Sequence, residues 1–248
     1  MHILLTRPAL QAEAMKLSLE NMGLQVSLAP ILDVSYVDFS PETLEASKAF
    51  VVTSVYASLR IANDPSVCRT VPIYAVGAGT AAPLRRVGFT CVHEAAGDAT
   101  SLLDLILKKR NPSEGRITYL SGWDITEDMA RALERHGHDA RRVVAYRATP
   151  ARSLSNATRE LLRRGDIDCI VFMSYRTAHF FTALCEEARV SACLQTMTAA
   201  VLSEKVASGL DRKGWRKIRV ATAPSQEAMI DILASARDQG FQEHSTPL

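Results

Sequence analysis

The chain has 248 residues, 47% of them hydrophobic and 23% charged, enough for one large domain or two small ones with real cores. Lys plus Arg number 29 against 27 Asp plus Glu, and a net charge of +2 argues against a dedicated nucleic-acid binder or a polybasic membrane-surface protein. Five cysteines, an odd count without a CxxC pair, argue against a disulfide framework or a zinc-finger spacing and point to a reducing compartment.

The opening MHILLTRP is apolar only as far as Leu5, too short for a signal peptide or a spanning helix. No later run approaches the roughly 18 apolar residues that a membrane span needs, so a cytoplasmic protein without membrane association is expected. Strands are predicted at 2–6, 25–29, 49–53, 73–76, 89–94, 117–120, 168–173, 199–202 and 218–222. Helical stretches fall at 9–22, 55–63, 79–87, 99–110, 125–136, 153–164, 175–188, 204–213 and 225–237. In the first helix Leu10, Ala14, Leu17 and Met22 lie close to one face. The tail from Gln242 is polar and expected to fray.

Most of the strand candidates are continuous apolar runs, which suits a parallel sheet covered by helices on both faces. Helices stop at Gly23, Gly88, Gly137, Gly165 and Gly214, the position where a left-handed cap needs glycine. The rhythm is that of an α/β protein. Residues 31–38 and 141–149 break it, and both read as extended connectors outside any regular βα unit.

Three internal alignments point to duplication. Residues 3–23 align with 117–137, 50–57 with 170–177, and 80–89 with 206–215. The order of the copies implies two similar lobes, each a parallel sheet flanked by helices. Lobe 1 is discontinuous, 1–30 plus 151–248. Lobe 2, 39–140, is inserted into it, and 31–38 with 141–150 pair as a two-stranded β linker. The ligand pocket is expected between the lobes.

In open parallel sheets, ligands bind beyond the carboxyl ends of the strands. Those ends carry Thr6-Arg7, Thr53-Ser54, Gly77-Ala78-Gly79-Thr80, Ser121-Gly122, Ser174, Ser203 and Thr222. Small hydroxylic residues there serve as helix N-caps, which is a sufficient structural role for any one of them. As a set, they expose many helix N-termini, whose free N–H groups suit an acidic small molecule. The stretch Gly77-x-Gly79-x-x-Ala82 with Glu94 approaches a dinucleotide fingerprint, but it sits on the second strand of its lobe and its repeat counterpart, Ser203-Glu204-Lys205-Val206, has no glycine. His136 and His138 read as a solvated helix end, His179 as packed, and Cys169 as a buried, inert thiol. Neither a metal-ligand set nor a nucleophile motif is found.

Taken together, LLTRPALQA with its helix ending at Gly23, the paired strand ends VVTS (51–54) and VFMS (171–174), AVGAGTAAPLRRVGF (75–89) and VVAYRAT (143–149) resemble the uroporphyrinogen-III synthase family. One departure stands out: Ser203-Glu204-Lys205-Val206-Ala207 replaces the family's second G-x-x-T-A, and Lys205 reads first as an exposed helical lysine, with a direct cationic contact as the alternative. The resemblance implies a cofactor-independent lyase of tetrapyrrole (haem- and sirohaem-type) biosynthesis. Such an enzyme is expected to act as a monomer and to cyclise hydroxymethylbilane with loss of water and inversion of the terminal pyrrole ring. Its substrate is a linear tetrapyrrole carrying eight carboxylates. In this frame Tyr146 is the candidate catalytic residue, a phenol able to protonate the leaving hydroxyl. Arg7, Ser54, Gly77, Thr80, Ser121, Gly122, Ser174 and Ser203 are the candidate substrate contacts. A two-lobed binding protein for an anionic small molecule and a nucleotide-dependent oxidoreductase built on Gly77 and Gly79 are the competing readings.

Overall fold

A computed structural model describes residues 1–40 and 42–243. The expected fraying of the final residues therefore lies mostly outside the described residues. The chain runs β1 (His2–Leu5), α1 (Ala9–Asn21), β2 (Gln25–Leu28), β3 (Leu32–Tyr36), α2 (Glu42–Glu45), β4 (Ala49–Val52), α3 (Val55–Ala62), β5 (Ile73–Ala75), α4 (Ala78–Arg86), β6 (Val92–Glu94) and α5 (Ala99–Lys109). It continues through β7 (Ile117–Gly122), α6 (Met129–Glu134), β8 (Ala140–Pro150), α7 (Asn156–Arg164), β9 (Cys169–Phe172), α8 (Tyr175–Glu187), β10 (Thr198–Val201), α9 (Glu204–Ala207), β11 (Lys217–Val220) and α10 (Gln226–Glu243). Short 3₁₀ turns lie at Pro112–Glu114, Ser191–Thr196 and Arg212–Gly214.

The result is an α/β protein with parallel sheets flanked by helices. One sheet has the order β11-β10-β9-β1-β2, with every described pairing parallel. The other has the order β3-β8-β7-β4-β5-β6, parallel from β8 to β6. By density of contacts the chain divides into two compact units. The first is Met1–Asp33 with the chain from Thr149, and the second is Val34–Ala148. The division passes inside β3 and inside β8.

Strands such as HILL, AFVV, CIVF and TAAV are buried at every position, because side chains on both faces of a covered sheet point into a core. Successive residues feed opposite layers. In the first unit Leu4, Ile170, Phe172 and Val201 pack with Ala178, Phe181 and Leu162. On the other face Ile3, Leu5 and Val171 pack with Met15, Leu19, Met229 and Leu233. In the second unit Phe50, Val52 and Leu120 pack with Ile61 and Leu84, while Val51 and Ile117 pack with Leu102, Ile106 and Leu133.

The two sheets share a strand order once β1 is matched to β7, β2 to β8, β9 to β4, β10 to β5 and β11 to β6. The aligned sequence segments fall on β1-α1 and β7-α6, on the starts of α3 and α8, and on α4 and α9. The match reassigns one connector. Residues 140–146 of β8 pair parallel with β7, from Ile117↔Ala140 to Gly122↔Tyr146. This part of the chain is therefore a regular sheet member, the counterpart of β2, with each strand following a helix that ends near a left-handed glycine, Gly23 or Gly137. On its other side, Val37 N–H donates to the Ala145 carbonyl at 3.0 Å and the Thr149 hydroxyl to the Asp33 carbonyl at 3.4 Å.

Other expectations need correction. The buried stripe of α1 is Ala12, Met15 and Leu19, while Leu10 and Leu17 are exposed. Apolar residues surround this helix so evenly that spacing alone does not set its phase. The helix expected at 204–213 is one turn, 204–207, and Gly214 ends a 3₁₀ turn without positive φ. The helix expected at 125–136 is confined to Met129–Glu134, with Asp128 as its cap. His179 is exposed and stacked on Tyr175, their rings 5.9 Å apart. His138, by contrast, is only 5% exposed, and its Nδ1 has no hydrogen-bond partner.

Burial lowers the His138 pKa, helped by the Arg110 and His136 charges, with Glu114 opposing. The folded protein therefore accepts this proton at lower pH than the unfolded chain does. His138 adds no pH dependence above about pH 6.5, and stability is lost as pH falls from there through the folded-state value. We predict that melting temperature falls between about pH 7.5 and pH 5 by roughly 2–4 °C more in the wild type than in His138→Gln. Parallel thermal melts of the two proteins check this.

Candidate functional site

Tyr146 lies on β8 opposite Gly122, the last residue of β7. The register slips between Ser121 and Gly122, so Ser121 faces Val144 and Gly122 faces Tyr146. A bulge of this kind bends a strand end and re-aims a side chain. Here it brings the phenol across the strand end. A Cβ at position 122 would lie 2.9 Å from two ring carbons of Tyr146 and 3.1 Å from its oxygen. Only glycine leaves room for that ring.

The ring is also held from α3. Tyr56, in the first turn, packs on it with centroids 5.5 Å apart. Ser54 caps α3, accepting from the Tyr56 N–H at 3.3 Å. Burial raises the Tyr146 pKa, while the Ser54 side chain and the Gly122 backbone pull it down. The net shift is upward, so the phenol is protonated at neutral pH, as an ordinary tyrosine already is. A second phenol, Tyr119 on β7, bonds the Thr53 hydroxyl at 3.1 Å and is likewise shifted upward by burial.

The neighbouring strand end is tied in through Ser58. Its hydroxyl donates to the Thr80 carbonyl at 2.7 Å and to the Ser54 carbonyl at 3.3 Å, joining the starts of α3 and α4. Gly77 caps α4 in an extended conformation, and a Cβ there would touch the Gly97 Cα at 3.4 Å. Thr80 is buried in the first turn. Gly122, Ser54 and Tyr146 therefore form one cluster, with Thr80 and Gly77 joined to it through Ser58.

Ser121 is placed differently. It is 1% exposed, donates to the Gly122 carbonyl at 3.0 Å and accepts from Arg142 Nε at 2.8 Å. Arg142 Nη2 also reaches the carbonyls of Gly122 and Trp123, at 2.8 and 2.7 Å. Ser121 thus belongs to the clamp that shapes the end of β7. In the first unit, Ser174 caps α8 and Ser203 caps the single turn of α9. Arg7 donates to the Gln226 side chain at 3.0 Å, and Lys205 is exposed. Sequence reading missed Tyr56, Tyr119, Arg142 and Trp123. Their signals, two aromatics in apolar runs and two residues beside a strand end, become informative only once β8 is known to pair with β7.

The acid of the near-fingerprint, Glu94, is ion-paired with Arg85 at 2.5 Å. Cys169 is fully buried with its thiol pKa pushed up to about 12, and all five cysteines are free. Among the described residues, no group of three or more His, Cys, Asp or Glu side chains is arranged to hold a metal ion, and no helix is long and apolar enough to cross a membrane.

Comparison with solved structures gives a uroporphyrinogen-III synthetase from Helicobacter pylori at 19% identity and a TM-score of 0.62, covering 95% of this chain and 99% of that one. A mutant uroporphyrinogen III synthase from Thermus thermophilus matches at 18% identity and a TM-score of 0.49, covering 96% and 99%. Comparison with curated proteins gives no match. The first of these structural likenesses speaks to the fold alone. The family model for uroporphyrinogen-III synthase HemD matches residues 13–231, most of the chain, and on that match the chain belongs to the uroporphyrinogen-III synthase family.

Proposed function

We propose that Tyr146 is the proton donor of the family's reaction and that the strand-end hydroxyls and amides around it hold the substrate. The reaction itself follows from the family: hydroxymethylbilane is cyclised to uroporphyrinogen III with loss of water and inversion of the terminal ring. The observation that carries the proposal is the seating of the Tyr146 phenol against Gly122 and Tyr56 at the end of β7.

The chemistry requires little more. A pyrrole nitrogen lone pair expels the terminal hydroxyl as water while the phenol supplies the proton, leaving an azafulvenium cation, its pyrrole N–H retained, and a phenolate. The distal ring attacks this carbon through its substituted position to give a spiro intermediate. Fragmentation and reclosure at the other position invert the ring, and the proton released on rearomatisation returns to the phenolate. The Ser54 hydroxyl and the Gly122 backbone stabilise that phenolate while it lasts. Electrons come from the substrate's own nitrogens, so the reading needs no cofactor. The remaining contribution is conformational: the free chain closes to the uninverted isomer, and holding it in a productive fold is the larger part of catalysis.

Eight carboxylates need many donors. In this proposal they are met by the helix starts at Ser54, Gly77 and Thr80 in the second unit and by Arg7, Ser174 and Ser203 in the first, with Lys205 as a cationic contact. Ser121 leaves the set, because its hydroxyl already has two partners inside the protein. We also propose that the two units are lobes of common origin, joined by β3 and β8 as a two-stranded linker, and that the enzyme works as a cytoplasmic monomer. The non-catalytic binding reading is not favoured by the family match.

Three tests follow. Freshly prepared hydroxymethylbilane, incubated with the protein, oxidised and resolved by isomer, should give mainly isomer III; isomer I alone would overturn the reading. Tyr146→Phe should lower kcat by about 10²–10⁴-fold with little change in melting temperature. Gly122→Ala, which forces the phenol aside without removing it, should cost about 10²-fold in kcat, measured in the same assay. Turnover within a factor of two of wild type for both variants would remove the phenol from the mechanism.

A further inference from the structure

Beside Tyr146 the second unit displays a pair of side chains that neither the core nor the proposed proton donor uses. Trp123 is 54% exposed, and the guanidinium of Arg147 lies 4.0 Å from the centroid of its ring. The backbone beneath this indole is unusually well secured. Trp123 N–H donates to the Tyr146 carbonyl at 2.8 Å, and its own carbonyl accepts from Arg142 Nη2 at 2.7 Å. Arg142 thereby fixes residues 121, 122 and 123 together. Arg147 is also exposed, and among the described residues no carboxylate pairs with it.

We propose that Trp123 and Arg147 form a substrate subsite that receives one pyrrole ring of the tetrapyrrole together with a carboxylate on that ring. The indole offers a flat aromatic face, and the guanidinium offers two parallel N–H donors to a carboxylate. A pyrrole bearing carboxylate arms presents the same two features side by side. Trp123 follows Gly122 in the chain and Arg147 follows Tyr146, so the pair lies one residue along from the glycine and the tyrosine on the two strands. Stacking against a guanidinium also keeps the unpaired Arg147 extended over the ring, which lowers the entropy lost when a carboxylate docks.

The inference rests on the tetrapyrrole reading, and its test separates the two. Steady-state kinetics with hydroxymethylbilane are compared for wild type, Trp123→Ala, Trp123→Phe, Arg147→Ala and Arg147→Lys. Trp123→Ala and Arg147→Ala should each raise KM about five- to ten-fold with kcat changed far less, and the Phe and Lys variants should recover part of the loss. The chain has two tryptophans, and Trp215 is buried in the core, so binding at this pair should also appear in wild-type indole emission. Adding uroporphyrinogen III should quench that emission, and Trp123→Phe should abolish the change. Unaltered KM in both alanine variants, with no emission change at saturating ligand, would show a mere surface pair and overturn the inference. A wild-type protein that yields only isomer I would instead overturn the functional reading beneath it.

Discussion

The missing side chain at residue 122 is the constraint from which the site follows. A Cβ there would sit 2.9 Å from the Tyr146 ring, so the phenol lies against the end of β7 only because nothing projects from that point. The register slip at Ser121/Gly122 and the Arg142 clamp shape the strand end, and Tyr56 and Ser54 close on the ring from α3. Close packing of this kind positions one oxygen without a metal or an ion pair. Its cost is burial of the phenol, which raises its pKa further above neutral pH.

The same logic explains the lack of a recognisable catalytic motif. The reaction needs one proton donor, a stabilised conjugate base and a surface that prevents the substrate from closing along its easiest route. None of these demands a nucleophile elbow, a cluster of acids or a metal-ligand spacing. What they demand are strand ends with small residues, so that backbone N–H groups and short hydroxyls stand within reach of an acidic ligand. Parallel sheets supply such ends as a by-product of their connectivity, and duplication supplies them twice. The two sheets share a strand order, as the proposed duplication requires.

Residues already engaged inside the protein refine the candidate set. Ser121 sits at a strand end, as a substrate contact should, yet its two hydrogen bonds tie it to the clamp on β7. Glu94 completes a fingerprint in sequence and an ion pair with Arg85 in space. In both cases the residue type and the spacing matched a function, and the partner across the fold assigned a different one.

The sequence by itself determined the α/β class, the positions of the strands other than β3 and β8, and the N-caps at Ser54, Ser174 and Ser203, because apolar continuity, short side-chain caps and glycine stops are local interactions. The repeated segments on which the proposed duplication rests are also visible without coordinates. The tertiary structure alone decided the phase of α1, the entry of residues 140–146 into the parallel sheet, the burial of His138, and which of the strand-end candidates share a site with Tyr146. Each of these depends on pairing or packing between segments far apart in the chain, such as Arg142 with Ser121 or Ser54 with Tyr146. Local propensity holds no information about such partners, because the same side chain is a cap, a clamp or a contact according to what the fold sets against it.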